Sequence, residues 1–139
     1  MKKIFLTLLL LCITASCGLC STMNSYDKYG LKTGSYRTNG STTTSYDKYG
    51  RKTGTIKQTS SGYTTYDNMG RKTSTVRQTS SGYTRYDNSG RRTESYRTQS
   101  NGTTNIYDNS GYRTGSYKKD SNGRITKYDA YGRRVGSYR

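Results

Sequence analysis

A tyrosine-aspartate pair recurs six times along this chain at nearly constant spacing. Successive pairs lie 20, 20, 20, 21 and 21 residues apart, and a glycine follows three residues after each aspartate. The repeated residues are Tyr26, Asp27 and Gly30; Tyr46, Asp47 and Gly50; Tyr66, Asp67 and Gly70; Tyr86, Asp87 and Gly90; Tyr107, Asp108 and Gly111; and Tyr128, Asp129 and Gly132. Such a period is typical of repeat proteins, in which each unit is one supersecondary element that cannot bury its apolar face alone. We therefore expect residues 26–139 to form a single domain of six repeats.

Each repeat contains two turn signals. Asp at the first position and Gly at the fourth favour a type I turn, because the carboxylate accepts backbone N–H groups and Gly tolerates positive φ. The second signal is an Asn-Gly or Ser-Gly pair, which is typical of tight β-hairpins. These pairs are Asn39-Gly40, Ser61-Gly62, Ser81-Gly82, Asn101-Gly102 and Asn122-Gly123. The alternating turns predict an all-β fold, an antiparallel meander of repeated β-hairpins with about twelve short strands and about 20 residues per repeat.

The composition predicts a thin core made largely of tyrosine. The chain has 24 Lys and Arg against 8 Asp and Glu, and aliphatic residues are scarce after the first 20 positions. So polar a composition is usual in disordered chains. However, 16 Tyr are present and Pro is absent. Tyrosine favours strands and can bury a large ring while its hydroxyl stays hydrogen-bonded.

The strand after each Asp-x-x-Gly turn alternates with a period of two, so its residues divide between two faces. One face carries a Tyr, Ile or Val, which we expect to point inward together with the tyrosine of the Tyr-Asp pair. The other face carries Thr or Ser hydroxyls, as in Thr33-x-Ser35, followed by one cation. These cations form a predicted basic ladder of Arg37, Lys57, Arg77, Arg97, Lys118 and Arg139. A second basic cluster follows the turns, at Lys32, Arg51-Lys52, Arg71-Lys72, Arg91-Arg92, Arg113 and Arg133-Arg134.

The first residues have the pattern of an export signal. Met1-Lys2-Lys3 is followed by a short apolar stretch over residues 4–13, which is too short for a permanent membrane span. The small residues that follow resemble a bacterial lipoprotein signal, which implies cleavage of residues 1–16 and lipidation of Cys17. Residues 17–25 are then a short tether, with Cys20 as a lone thiol. This pattern predicts an exported protein in the bacterial outer membrane or periplasm, and secretion after cleavage near Ser16 to Cys20 is the alternative.

The repeated motif resembles two known families. Tyr86-Asp-Asn-Ser-Gly-Arg-Arg-Thr and its copies resemble the YD repeat of bacterial Rhs-type surface proteins, which would imply an open β-sheet within a larger shell. Tyr128-Asp-Ala-Tyr-Gly-Arg-Arg-Val-Gly-Ser is similar to the small exported bacterial proteins called four-fold or five-fold β-flowers. This second resemblance implies repeated hairpins closed around an axis, and it implies no established activity. It leaves open whether five or six units close the ring.

The residue types argue against catalysis. His is absent, no nucleophile has a base beside it, and the repeated Asp residues have a sufficient role in the turns. We therefore expect no enzymatic activity, no cofactor and no metal site. Two functional hypotheses stay open. The first is a binding module for polyanions or acidic glycans of the envelope, with the basic ladder as its surface, and specific nucleic-acid binding is not expected. The second is a structural protein that self-assembles or binds a surface partner through exposed strand edges.

Overall fold

The computed structural model describes residues 21–139, and the proposed signal segment, Cys17 and Cys20 lie outside the described residues. Residues 21–139 form twelve β-strands joined by short turns. In chain order they are β1 (Ser21–Asp27), β2 (Lys32–Asn39), β3 (Thr42–Asp47), β4 (Lys52–Thr59), β5 (Gly62–Asp67), β6 (Lys72–Thr79), β7 (Gly82–Asp87), β8 (Arg92–Thr98), β9 (Thr103–Asp108), β10 (Arg113–Lys119), β11 (Ile125–Asp129) and β12 (Arg134–Tyr138). Within this part of the chain no helix is long and apolar enough to cross a membrane.

The strands form an antiparallel meander that closes into a barrel. Closure joins β1 to β12, with Ser25 opposite Tyr138 and Asp27 opposite Gly136. The Asn24 backbone N–H donates to the Arg139 carbonyl at 2.7 Å, and the Arg139 N–H donates to the Asn24 carbonyl at 3.0 Å. The prediction of a closed all-β meander is confirmed, and six hairpins complete the ring. The alternative of an open sheet is wrong for residues 21–139.

Strand β1 begins earlier than the sequence pattern suggests. Residues 21–25 were expected to belong to a tether, yet they pair with β2, and Ser25 also pairs with β12. The physical reason is strand pairing, because residues 21–25 supply the partners of Gly34 to Thr38 on β2. The end of β1, from Ser25 to Asp27, then pairs with β12 and closes the barrel. The domain therefore includes residues 21–25.

The Asp-x-x-Gly turns have the predicted chemistry. In the second repeat the Asp47 Oδ1 atom accepts the backbone N–H groups of Tyr49 and Arg51, both at 2.9 Å. The Gly50 N–H donates to the Asp47 carbonyl at 3.1 Å, and Gly50 has a φ of 81°. The same carboxylate contacts recur at Asp27, Asp67, Asp87, Asp108, Asp120 and Asp129.

The core is a thin layer inside the barrel. Its buried apolar members are Ile56, Tyr63, Val76, Tyr96, Ile106, Tyr117, Ile125 and Tyr138, with Met23, Tyr36 and Tyr83 packed against them. The inward Tyr, Ile or Val predicted on the even-numbered strands is thereby confirmed. The tyrosines of the Tyr-Asp pairs were expected to point inward as well, and this expectation is wrong. Ser45 is the inward residue of β3 and lies opposite Tyr36, so the next residue, Tyr46, points outward and lies opposite Ser35.

Each repeat also carries a β-bulge next to its Asp-x-x-Gly turn within the described barrel. On β4, for example, Tyr46 is opposite Lys52 while Ser45 is opposite Gly54, so Thr53 is the extra residue. The bulge turns Thr53 toward the barrel mouth, where its hydroxyl lies 2.7 Å from that of Ser45. The prediction that this threonine shares the outer face with the cations is therefore wrong, because strict alternation does not hold across a bulge.

Candidate functional site

The outer wall carries the six cations of the predicted ladder, which we call the cation belt: Arg37, Lys57, Arg77, Arg97, Lys118 and Arg139. All six are exposed. They lie on or directly after the even-numbered strands, so neighbours are two strands, or roughly 9–10 Å, apart around the barrel. Closure therefore arranges the ladder as a belt around the circumference, and one rigid flat ligand can face only part of it. A flexible chain could follow more of the belt.

Tyrosines of the Tyr-Asp pairs support the belt. The Lys57 ammonium nitrogen lies 5.4 Å from the ring centroid of Tyr66, and the Arg77 guanidinium carbon lies 5.1 Å from that of Tyr86. Equivalent pairs are Arg97 with Tyr107 at 5.2 Å and Arg139 with Tyr26 at 4.5 Å. Such cation–π contacts hold the side chains against the wall while leaving their N–H groups toward solvent. Among residues 21–139, no belt cation forms an ion pair with a carboxylate.

The six Asp-x-x-Gly turns that follow the Tyr-Asp pairs form one end of the barrel, which we call the turn rim, while the turn at Asp120 lies at the other end. Large side chains stand exposed there, between 66% and 85%: Tyr29, Leu31, Tyr49, Met69, Tyr112 and Tyr131. Three arginines of the rim are paired with the aspartate of their own turn, and Arg51 Nε lies 2.8 Å from Asp47 Oδ2. Arg71 pairs with Asp67 and Arg133 with Asp129 in the same way. These rim cations thus differ from the belt cations in having an acidic partner.

The same contacts explain the acidity of the turn carboxylates. The backbone N–H of Arg51, donated to the carboxylate, is the largest cause that lowers the pKa of Asp47, and the Arg51 side chain adds to it. The pKa values of Asp67 and Asp129 are lowered by the equivalent groups. These aspartates are ionised turn-closing groups, which fits the structural role expected from the sequence. Within the described strands and turns, His, Cys, Asp and Glu form no group of three or more that could hold a metal ion.

Inside the barrel, next to the turn rim, lies a cavity of about 820 Å³. An eight-stranded barrel is just filled by its side chains and one of about sixteen strands encloses a channel, so twelve strands leave an interior space. The space is widened because the inner wall of β1–β5 carries only Gly, Ser and Thr at this level, such as Gly34, Ser45 and Thr65. Tyr36 and Tyr138 form part of the lining on the core side.

The far side of the cavity carries charged groups that the sequence interpretation missed. Arg85 and Lys127 both line it. The Arg85 Nη1 atom lies 3.4 Å from Glu94 Oε2, with the two side chains only 13% and 10% exposed. Glu94 Oε2 also accepts the Tyr96 hydroxyl at 2.6 Å. Burial lowers the pKa of the Lys127 ammonium group, and the nearby Glu94 carboxylate partly offsets this effect.

The two cations of the cavity had a signal in the sequence. The position before the tyrosine of each pair holds Ser25, Ser45, Thr65, Arg85, Ile106 and Lys127. Aligning the repeats by their Tyr-Asp pairs exposes this divergence at a position that keeps a small hydroxyl residue in the first three repeats. The belt cations recur in every repeat, whereas the cavity cations stand at a position where the repeats differ, so the shared pattern predicts the belt and not the cavity.

No protein-family model matches the chain, and a search of the curated proteins finds no match. The resemblances to YD repeats and to β-flowers therefore stay hypotheses about ancestry. The closed barrel is the kind of architecture that the β-flower resemblance implied.

Proposed function

We propose that this protein is a non-catalytic binding module for polyanionic or acidic-glycan ligands of the bacterial envelope, with the cation belt as its contact surface. The proposal depends on the exposure of the belt cations and on their lack of carboxylate partners. Its six cations are exposed, and among the described residues none is neutralised by a carboxylate. The formal charge of the chain is +16, so the field around the barrel attracts anions.

The stacked tyrosines give the belt a mechanism beyond net charge. A long Lys or Arg side chain loses conformational entropy when it binds a ligand. Where the ring of Tyr66 or Tyr86 already holds the cationic group of Lys57 or Arg77, part of that loss occurs on folding. The guanidinium groups of Arg77 and Arg97 can then donate paired N–H groups to a sulfate, phosphate or carboxylate.

The alternative of self-assembly through strand edges has less support. It requires an unpaired edge that can template another strand. In residues 21–139, β1 and β12 pair with each other, and closure leaves no free edge in the sheet. Assembly would need another surface, such as the turn rim.

The envelope location in this proposal depends on the sequence of residues 1–17. Its support is the signal-like pattern and the cysteine at position 17. Mass spectrometry of the mature protein purified from a bacterial host tests it. An acylated Cys17 at the N-terminus is the expected result, while an unmodified N-terminus between Ser16 and Cys20 would indicate secretion instead.

Binding of a fluorescent heparin fragment, followed by anisotropy, tests the ligand class. The belt variant Arg37→Gln/Arg77→Gln/Arg97→Gln removes three unpaired cations, and the rim variant Arg51→Gln/Arg71→Gln/Arg133→Gln removes three cations that are paired with aspartates. The two variants have the same net charge. We expect the belt variant to lose at least roughly tenfold in affinity and the rim variant clearly less, with binding of the parent falling steeply as salt rises. Equal losses would show that only net charge matters and would refute the belt as the site.

A further inference from the structure

The side chains that line the cavity differ between the two halves of the barrel, and packing of the barrel interior does not require this difference. Its wall along β1–β5 has only small residues at the level of Ser45 and Gly54, whereas β7 and β11 contribute the long cations Arg85 and Lys127 at the equivalent level. The fold itself tolerates a small hydroxyl residue at this position, as Ser25, Ser45 and Thr65 demonstrate. Arg85 has structural partners at this level, because it contacts Glu94 and donates to Ser74 Oγ. Lys127 forms no ion pair with the described residues, so it is the cation that needs another explanation.

The charges that line the cavity differ between its rim and its interior. At the rim the lining includes Asp27, Asp47 and Asp67, of which Asp47 and Asp67 are paired with Arg51 and Arg71. Glu94 is paired with Arg85 and accepts the Tyr96 hydroxyl. Lys127 forms no ion pair among residues 21–139, and its ammonium nitrogen lies 5.8 Å from the ring centroid of Tyr117. At the level of Ser45, by contrast, Arg85 and Lys127 face a single carboxylate, Glu94, which leaves one excess positive charge at this partly buried level. A buried charge without a partner is costly, and a bound anion would supply the partner.

The opposite wall offers hydroxyl groups in a regular row. The Thr33 hydroxyl donates to Ser25 Oγ at 2.9 Å. The Ser45 and Thr53 oxygens are 2.7 Å apart, and those of Thr65 and Thr73 are 2.9 Å apart.

Each hydroxyl has one proton and two lone pairs, so such pairs retain hydrogen-bonding capacity toward a polyol. Beside the row, the Tyr36 and Tyr138 rings, with centroids 6.4 Å apart, provide an apolar surface for the C–H face of a sugar ring.

We propose that this cavity binds a small polyhydroxylated acid of one or two sugar rings, with its anionic group at Lys127 and its hydroxyls along the row of paired Ser and Thr residues. The volume of about 820 Å³ lies within the range of about 300–1,000 Å³ usual for small-ligand sites. The site is separate from the cation belt, so it stands or falls independently of polyanion binding on the outer wall.

Isothermal titration calorimetry with glucuronate, glucose 6-phosphate and neutral glucose tests the proposal. We expect saturable binding of at least one of the two acids, and weaker binding of glucose. Lys127→Gln should weaken binding of the acid by at least roughly tenfold, while Lys127→Arg keeps most of it. Glu94→Gln should strengthen binding, because it removes the negative charge nearest the cations and keeps an acceptor for the Tyr96 hydroxyl.

The belt variant Arg97→Gln is the matched control, because it removes one outer cation without touching the cavity. It should leave binding of the small acid unchanged, and Lys127→Gln should leave heparin binding nearly unchanged. Circular dichroism confirms that each variant is folded. The proposal is overturned if neither acid binds more tightly than about 10 mM, or if folded Lys127→Gln binds the acid as well as the parent does. Loss of acid binding in Arg97→Gln with retention in Lys127→Gln would place the acid on the belt and also refute the cavity site.

Discussion

The hairpin turn at Gly62 offers a quantitative test of the barrel geometry. Gly62 has a φ of 146°, and a Cβ added there would lie 2.0 Å from the Val76 carbonyl oxygen on the paired strand β6. Gly50, in an Asp-x-x-Gly turn, has a φ of 81°, and a Cβ added to it would meet no atom within 4 Å. Both positions disfavour an L-residue, but only Gly62 also faces a backbone atom. The pair Gly62→Ala and Gly50→Ala therefore separates backbone strain from steric overlap.

The expected costs follow from these contacts. Gly50→Ala places an L-residue in the left-handed region, which costs about 1–2 kcal/mol. Gly62→Ala adds a displacement of about 1 Å between the backbones of β5 and β6, since real Cβ contacts are essentially never shorter than 3.0 Å. The strain of displacing two hydrogen-bonded strands brings the total cost in unfolding free energy to at least about 3 kcal/mol. For a domain of this size, the lowering of Tm is then about 4–8 °C for Gly50→Ala and above about 10 °C for Gly62→Ala.

Urea unfolding followed by circular dichroism measures both free energies of unfolding. Gly82→Ala is a replicate, because its Cβ would lie 2.0 Å from the Tyr96 carbonyl oxygen at a φ of 140°. Gly62→Ala and Gly82→Ala should therefore lose similar stability. The reasoning is refuted if Gly62→Ala is no more destabilising than Gly50→Ala.

Three further predictions concern stability. Burial, assisted by the neighbouring Tyr83, raises the pKa of Tyr63 to about 12, so folding favours its protonated form. The stabilisation by protonated Tyr63 is intact below about pH 10 and is lost as pH rises to about 12. A Tm that does not fall in this window would contradict a raised pKa of Tyr63. The pKa of Asp47 is lowered in the folded state, so its effect on stability depends on pH in the opposite direction. The stabilisation is present above about pH 4 and is lost as pH falls through the folded pKa. Unfolding curves should thus show less acid sensitivity for Asp47→Asn than for the parent. Finally, Ile56→Ala at a fully buried site should cost about 2–5 kcal/mol, against less than about 0.5 kcal/mol for Leu31→Ala on the rim, both by urea titration.

Local chemistry explains why much of the fold is predictable. Asp47 and Gly50 specify a turn without help from distant residues, and the same residue types recur six times. The inward position of Ile56 is also locally specified, because side chains alternate between the two faces along β4. Closure is different, because it depends on the twist summed over twelve strands and on a partner for β12. The partner is the end of β1, from Ser25 to Asp27, and the Tyr-Asp pair there gives no local signal that distinguishes it from the other five pairs.

The errors have physical causes as well. Tyr46 carries a large apolar ring on a strand, so hydrophobicity suggests an inward position, yet the inward residues of β3 are the polar Thr43 and Ser45. The outward tyrosine ring lies against the outer wall and, in several repeats, has a belt cation over it. Thr53 is misplaced because a bulge cannot be read from a period of two. Lys127 and Arg85 look like ordinary surface cations until the barrel brings them to one cavity.

The central claim is that the cation belt, and not the overall positive charge, binds acidic polymers. The most direct measurement is an NMR titration of the arginine side-chain Nε–H resonances with a heparin hexasaccharide. Belt arginines such as Arg77 and Arg97 should shift, while Arg51 and Arg133, whose Nε–H groups donate to aspartates at 2.8 and 2.7 Å, should stay nearly in place. Shifts of the rim arginines with an unchanged belt, or equal small shifts everywhere, would contradict the claim.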